Sequence, residues 1–146
     1  MLKISIGSDH GGFAYKEEIK KHLAGKYEII DVGTCDENSC HYPEFGFKAA
    51  ELVGSGQCTY GIVICTSGEG ISIAANKIKG VRCGIGYNDE VSALMRMHND
   101  ANMIAFGQKF MSLEDVLRRV DIFLSSKFEG VGRHATRVQM IIDKEK

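Results

Sequence analysis

The sequence predicts an α/β fold: a parallel five-stranded sheet with helices on both faces, in three α/β/α layers. Short runs rich in β-branched residues alternate with segments that carry apolar residues at helical spacing. Strands separated by helices imply right-handed crossovers, which make the strands parallel and cover both faces of the sheet. A length of 146 residues, 44% of them hydrophobic, is enough for one such core.

The alternation can be followed from the amino terminus. A first strand at 3–7 precedes a helix at 13–24, in which Phe13, Ile19 and Leu23 have helical spacing and after which a glycine ends the helix. The same two patterns predict the elements that follow, which are strand 27–32, helix 45–53, strand 60–64, helix 71–78, strand 81–85, helix 89–97, strand 103–106 and helix 113–124.

A C-terminal helix is predicted at 133–143, where Val138, Ile141 and Ile142 have helical spacing. The sequence leaves open whether this helix packs on its own sheet or reaches across a partner subunit. No internal repeat, low-complexity tract or linker divides the chain, so we expect residues 1–146 to form a single domain.

Charge and hydropathy exclude several classes of protein. Lys and Arg number 18 against 19 Asp and Glu, and this balance provides no overall field to attract nucleic acid or an anionic membrane. No apolar run approaches the roughly 18 residues of a membrane span, and the first residues lack the layout of a signal peptide. We therefore expect a cytoplasmic protein without a nucleic-acid or membrane partner.

The five cysteines indicate reduced thiols, because their number is odd and a chain of this size needs no disulfides. Cys35, Cys40 and His41 are close in sequence and all three are potential metal ligands. They form no CxxC motif and lack a clear fourth ligand, so an ordinary loop is favoured over a metal site.

The strongest functional signal is Cys65-Thr66-Ser67-Gly68-Glu69-Gly70, between a buried strand and a helix. Open α/β sheets bind their ligands at such turns, outside the carboxyl ends of the strands. The glycines allow a ligand to approach the backbone, and the free N–H groups of the helix favour an anion. The same surroundings favour the thiolate of Cys65, so an anion holder and a nucleophile or base share one turn.

A second polar turn follows the first strand and contains Asp9 and His10. Carboxyl ends of parallel strands meet at one edge, so we expect Asp9 and Cys65 to face one ligand. Taken alone, Asp9 is better explained as a helix N-cap, and His10 as a solvated imidazole.

Two more groups of polar residues lie late in the chain. Arg133 and Arg137 are one helical turn apart, a spacing that suits a two-pronged phosphate grip, although a solvated helix face is the commoner explanation. His98, taken alone, is better explained as a helix C-terminal cap than as a catalytic group.

Together, these residues resemble one family, ribose-5-phosphate isomerase type B, which also contains galactose-6-phosphate and allose-6-phosphate isomerases. The matching segments cover nearly the whole chain, and the longest is highly specific. In order they are GSDHGGF at 7–13, DVGT at 31–34, HYP at 41–43, CTSGEGISIAANK at 65–77, HND at 98–100, AFG at 105–107, and GRH at 132–134 with Arg137.

The resemblance implies a flavodoxin-like (Rossmann-like) sheet and a homodimer or tetramer with sites at the subunit interface. It implies an aldose–ketose isomerase of the pentose phosphate pathway that acts on ribose 5-phosphate without metal or organic cofactor. In the implied mechanism His98 opens the sugar ring, Asp9 assists at the sugar oxygens, Cys65 moves the C2 proton to C1 through a cis-enediolate, and Ser67 assists proton movement between O1 and O2.

The resemblance also implies the substrate contacts. The residues given this role are His10, Tyr42, Gly68, Gly70, Asn99, Arg133, His134 and Arg137, with His10 and the two arginines on the phosphate. One branch of the family has a carboxylate base directly after the second glycine, where this chain has Ile71; Glu69 lies two residues earlier and does not inherit that role.

Two segments depart from the common family pattern. Thr66 and Ser67 replace a Gly-Thr pair, which keeps a hydroxyl at Ser67 and adds bulk at Thr66. Lys109 lies in a segment where many relatives have arginine, and lysine cannot make a bidentate phosphate contact.

Three other functions fit the sequence less well. A flavin or dinucleotide module is disfavoured because no GxGxxG follows the first strand. A non-catalytic sugar-phosphate-binding protein would have no need for Cys65 and His98 together. Within the enzymes, an allose-6-phosphate or galactose-6-phosphate isomerase is the runner-up, and the HND segment at 98–100 favours ribose over galactose.

Overall fold

The computed structural model describes residues 1–146 and contains one parallel sheet with the strand order β2-β1-β3-β5-β4. The strands are β1 (Lys3–Ser8), β2 (Glu28–Asp31), β3 (Tyr60–Cys65), β4 (Cys83–Ile85) and β5 (Met103–Gly107). The helices are α1 (Phe13–Leu23), α2 (Tyr42–Gly54), α3 (Glu69–Ala75), α4 (Asp89–Met97), α5 (Leu113–Ser125) and α6 (Gly132–Lys144).

Helices cover both faces of the sheet, which confirms the three-layer α/β/α prediction. Ile62 and Ile64 of β3 lie in one buried cluster with side chains of α1, α4 and α5. Val63 and Cys65, the alternate positions of the same strand, lie in a second buried cluster with side chains of α2 and α3. Two-sided burial explains why the central strands are continuous apolar runs.

The architecture is flavodoxin-like, with the last two strands in exchanged positions relative to the order 2-1-3-4-5 of flavodoxin itself. Strand β5 pairs with both β3 and β4, so the short β4 forms an edge of the sheet. None of the six helices has the length and apolar character that a membrane crossing requires.

Three predicted boundaries were wrong by a few residues. Helix α2 begins at Tyr42 rather than at residue 45, because Pro43 occupies its first turn, where a missing N–H costs nothing. Helix α3 begins at Glu69, directly after Gly68, and ends at Ala75. Strand β4 begins only at Cys83, after Arg82, whose N–H bonds to a side chain instead of a neighbouring strand.

Helix α6 lies outside both helical layers. Val138 is its one buried residue, whereas Met140 is 66% exposed and Ile141 is 50% exposed. At its far end, the N–H of Gly80 donates to Glu145 Oε2 over 2.8 Å. The helix therefore presents an apolar stripe that its own chain leaves uncovered.

Different turns are joined by hydrogen bonds at the carboxyl and amino edges of the sheet. At the carboxyl edge, the turn after β5 bonds to the turn after β3, as Gln108 N donates to the carbonyl of Cys65 and Lys109 N to that of Thr66. At the amino edge, the carbonyl of Asn102 accepts from Gly61 N at the start of β3, and Asn102 N donates to the carbonyl of Arg82. The three central strands, of five to six residues each, separate the two edges by roughly 17–20 Å.

Candidate active site

Asp9 and Cys65 lie side by side at the carboxyl edge, as predicted. Strands β1 and β3 are neighbours, and Ser8 pairs with Ile64 one residue before the two turns begin. The turns are in direct contact, since a Cβ on Gly11 would collide with Thr66 Oγ1 and would lie 3.3 Å from Asp9 Oδ1. Only glycine at position 11 allows the two loops to pack this closely.

The carboxylate of Asp9 is buried without a full set of partners. Its residue is 6% exposed, and Oδ1 has no hydrogen-bond partner, as is also true of the neighbouring Ser8 Oγ. Asp9 precedes a short 3-10 helix at His10–Gly12, but its side chain does not cap that helix. Buried polar atoms are nearly always paired, so this oxygen is oriented for something other than stability.

The thiol of Cys65 is held by the backbone of its own turn. Cys65 is 4% exposed, and Gly68 N–H donates to its Sγ over 3.2 Å. Gly68 adopts φ 84°, a left-handed conformation that side chains rarely adopt, and its backbone is packed against Phe106. A donor directed at the sulfur stabilises negative charge on it.

Ser67 is positioned by a similar contact. The N–H of Glu69 donates to Ser67 Oγ over 3.2 Å, which leaves the hydroxyl proton free to be donated outwards. At the start of α3, the N–H of Gly70 has no acceptor within its own helix. The turn therefore offers a thiol, a hydroxyl and backbone N–H groups within a few residues.

Two aromatic side chains border this turn. Cys40 N donates to His10 Nδ1 over 3.2 Å, so Nε2 of a neutral His10 carries the proton and is available as a donor. Tyr42, the first residue of α2, lies against Gly70, where an added Cβ would be 2.5 Å from the tyrosine ring. The exposed His10 and Tyr42 thus stand on the same side as Asp9 and Cys65.

His98 lies at the amino edge, remote from Asp9 and Cys65. It is the C-cap residue of α4, its N–H donating to the carbonyl of Leu94 over 2.8 Å. The ring of His98 stacks on that of His134 in α6, with centroids 3.9 Å apart and planes 3° from parallel. Asn99, which follows, is exposed.

A buried network fixes the turn that carries His98. Asp100 has φ 47° and accepts from Arg96 Nη1 over 2.9 Å and from Arg82 Nη2 over 3.3 Å. The Arg96 guanidinium lies 4.8 Å from the ring centroid of Tyr60. Two arginines thus hold Asp100 in a conformation that the turn needs.

The arginines of α6 are free to bind an anion. Arg133 and Arg137 are both exposed, and the arginines that form ion pairs within the chain are Arg82, Arg96, Arg118 and Arg119. Desolvation lowers the pKa of His134, and His98 and the two arginines lower it further, against the effect of Glu129. The neutral imidazole of His134 is therefore favoured in this cationic setting.

Comparison with known proteins identifies the family. The model of the ribose/galactose isomerase family matches residues 4–141. The chain belongs to this family.

Individual relatives are similar to this chain over nearly their whole lengths. The ribose-5-phosphate isomerase B of Escherichia coli is 42% identical over 142 residues, which cover 97% of this chain and 95% of the relative. A putative sugar phosphate isomerase of Bacillus subtilis is 40% identical, with 99% and 97% covered.

Solved structures of ribose-5-phosphate isomerase B have the same fold. That of Clostridium thermocellum gives a TM-score of 0.95 at 49% identity, covering 99% of this chain and 97% of the other. That of Mycoplasma genitalium, which has bound ribulose-5-phosphate, gives 0.94 at 35% identity, with 99% and 96% covered.

The structure divides the predicted site residues into two groups. One group lies at the carboxyl edge and consists of Asp9, His10, Tyr42 and the 65–70 turn. The other group lies by the amino edge and the first turns of α6 and consists of His98, Asn99, Arg133, His134 and Arg137. Within one chain the two groups do not meet.

The remaining predicted features have simpler surroundings. Cys40 lies beside His10, with Sγ 3.9 Å from Nδ1, and does not form a ligand cluster with Cys35 and His41. Lys109 is exposed, with its Nζ 5.9 Å from the ring centroid of Phe110.

Sequence reasoning missed Glu129. Its Oε1 lies 4.0 Å from His98 Nε2, and its N–H donates to the carbonyl of Met97 over 3.1 Å. No local pattern indicated this contact, because the residue lies in an irregular loop between α5 and α6.

Proposed function

We propose that this protein interconverts D-ribose 5-phosphate and D-ribulose 5-phosphate in the pentose phosphate pathway, through ring opening and a cis-enediolate. One observation carries the proposal: two buried reactive groups lie on adjacent turns. These groups are the Cys65 thiol, which accepts a hydrogen bond from the Gly68 N–H, and the carboxylate oxygen of Asp9 that has no partner. A binding protein needs neither group. The name and the ligand of the Mycoplasma genitalium structure support the same substrate class.

Proton transfer at carbon is assigned to Cys65. The thiolate takes the C2 proton of the open-chain aldose and returns it to C1, which converts the aldose into the ketose. The Gly68 N–H donates to Sγ and gives the negative charge of the thiolate form a hydrogen-bond partner during the transfer. A buried position keeps bulk water away from the abstracted proton.

The charge that develops on the enediolate oxygens needs donors fixed in advance. The N–H of Glu69 occupies one lone pair of Ser67 Oγ, which leaves the hydroxyl proton free for donation to the substrate. Ser67 therefore assists the movement of a proton between O1 and O2. Gly68 and Gly70 allow the sugar to approach the turn closely, and the N–H of Gly70 is a further donor. Tyr42, packed on Gly70, bounds the sugar on this side.

Ring opening and phosphate binding are assigned to the other group. His98 shuttles a proton between the anomeric hydroxyl and the ring oxygen, with Asp9 assisting at the sugar oxygens. Arg133 and Arg137 hold the phosphate with His10, while His134 and Asn99 contact the substrate.

These roles require a second copy of the chain. Strands of roughly 17–20 Å separate His98 from Cys65 within one subunit, whereas a five-carbon sugar phosphate is shorter. We propose a homodimer, alone or paired into a tetramer, in which each site joins the carboxyl edge of one subunit to His98 and α6 of the other. Such a contact is supported by the exposed side chains of Met140 and Ile141, which line a groove of about 770 Å³.

Substrate choice is tested by comparing kcat/KM for ribose 5-phosphate, allose 6-phosphate and galactose 6-phosphate with the purified protein. We expect ribose 5-phosphate to be preferred by at least about tenfold, since an added hydroxymethylene must be accommodated between two fixed ends of the site. Preference for either hexose phosphate would assign the protein to another branch of its family. Absence of turnover with all three would contradict the proposed function.

Ring opening by His98 is tested with His98→Asn. We expect kcat for ribose 5-phosphate to fall about 10²-fold. An aldose phosphate whose ring-forming 4-hydroxyl is replaced by hydrogen cannot close, so its turnover is expected to change little. Equal losses on the cyclic substrate and on the open-chain analogue would remove His98 from the ring-opening role.

Two further proposals concern the chain as a whole. Residues 1–146 are proposed to act as one catalytic domain, supported by a family match that extends over 4–141. A cytoplasmic location is proposed because all five cysteines are free thiols, which a reducing compartment preserves.

A further inference from the structure

Three potential metal ligands meet near the amino edge of the sheet. The ligand atoms of His98, Glu129 and His134 all lie within 4.8 Å of one another. They come from three separate parts of the chain: the C-cap of α4, the loop after α5 and the first turn of α6. The proposed mechanism uses the two histidines and gives Glu129 no task.

The spacing of the three side chains is close to that of a metal centre. Ligand atoms that share one Zn²⁺ at about 2.0–2.2 Å lie within about 4 Å of each other. Here Glu129 Oε1 is 4.0 Å from His98 Nε2, and the two imidazole rings are 3.9 Å apart. The two rings are stacked within 3° of parallel, so one imidazole must rotate out of the stack before both ring nitrogens point at one ion with Glu129.

The backbone holds these residues in place while leaving their side chains adjustable. Glu129 is anchored by its N–H to the carbonyl of Met97, the residue before His98. The turn that carries His98 is itself held by the ion pairs of Asp100 with Arg82 and Arg96. This order of the backbone reduces the conformational entropy that is lost when an ion binds.

The charges around the cluster act in both directions. The carboxylate of Glu129 and the carboxyl-terminal end of α4 attract a cation, whereas Arg133 and Arg137 on α6 repel it. Asp100 is already paired with Arg82 and Arg96 and contributes little. Imidazole nitrogen is a poor ligand for Mg²⁺ or Ca²⁺ and a good ligand for Zn²⁺ and for ions of copper, iron and nickel. The ligand set therefore favours an ion of the latter kind.

We propose that His98, Glu129 and His134 form a binding site for a divalent transition-metal ion such as Zn²⁺, and that the ion inhibits the enzyme by occupying His98. Two imidazoles and one carboxylate leave a fourth position for water. An imidazole that donates its lone pair to a metal cannot shuttle a proton during ring opening. The inhibitory part rests on the proposed function, whereas the binding part stands independently of it.

Binding is measured by titrating the purified protein with ZnCl₂ in a calorimeter. We expect one Zn²⁺ per chain, and at least about tenfold weaker binding in Glu129→Gln, which keeps the size of the side chain and removes its charge. His134→Ala should weaken binding as well. The matched control is His22→Ala, which removes a partly exposed histidine from a different carboxylate pair, with Asp121, and should leave Zn²⁺ binding unchanged.

Inhibition is measured on ribose 5-phosphate with the same proteins. We expect Zn²⁺ to lower the rate of the wild type and a chelator to restore it, while Glu129→Gln keeps its basal rate and loses the sensitivity. If Cys65→Ala abolishes Zn²⁺ binding and Glu129→Gln does not, the ion is bound by the thiol and the proposed site is wrong. Isomerase activity without Zn²⁺ binding overturns the inference alone, and Zn²⁺ binding without isomerase activity overturns only the proposed function.

Discussion

Replacing Cys65 by alanine is expected to lower kcat for ribose 5-phosphate by about 10²–10⁴-fold, the usual contribution of a positioned base. The remaining donors of the turn, including Ser67 and the backbone N–H groups, stay in place, and none of the proposed phosphate contacts involves the thiol. Substrate binding should therefore change much less than turnover. Stopped assays for kcat and calorimetry for the dissociation constant of ribose 5-phosphate separate the two quantities.

The matched control for this variant is Cys58→Ala. Burial raises the pKa of the Cys58 thiol, and the residue lies in the apolar core before β3. Its removal is expected to lower stability without a comparable loss of kcat. Unchanged turnover in Cys65→Ala would exclude this thiol as the base, whereas lost binding and lost turnover together would indicate a structural role.

Mixing two inactive variants is expected to restore activity. A heterodimer of Cys65→Ala and His98→Asn chains has one site with both substitutions and one site with neither. Random assortment of equal amounts makes half of the dimers mixed, so about a quarter of the wild-type activity should return. The two proteins are unfolded together, refolded and assayed against each protein refolded alone.

A second mixture tests whether the recovered activity depends on the arrangement of the edges. Cys65→Ala and Asp9→Asn both alter the carboxyl edge, so every site of their heterodimer keeps one defect and the mixture should remain inactive. Equal recovery in the two mixtures would contradict the division of the site. No recovery in either, from proteins that refold and associate, would place all the catalytic groups within one chain.

Much of the fold was predictable because the central strands are buried on both faces. Continuous apolar runs such as 60–64 have few alternatives in a chain that alternates them with helical spacing. Element ends were less predictable, because they depend on distant partners. Strand β4 begins late because the N–H of Arg82 bonds to the side chain of Asn102, a contact that no local pattern records.

The neighbourhood of Asp9 and Cys65 was also predictable, because each follows a strand in a parallel sheet. The position of His98 at the amino edge could also have been predicted from the order of the elements. His98 follows a helix, and a helix between parallel strands returns the chain to the amino edge. The stacking of His134 on His98 and the approach of Glu129 had no such signal, because loop conformation decides both.

The unpartnered oxygens of Asp9 and Ser8 have a consequence for engineering this protein. A buried polar atom without a partner costs about 1–3 kcal/mol of folding free energy. The protein is therefore less stable than the same fold with other residues at these two positions. Selection for thermostability alone would favour smaller or apolar residues at these two positions and would discard the Asp9 carboxylate with them. Asp9 therefore marks a position where stability and the proposed activity trade against each other.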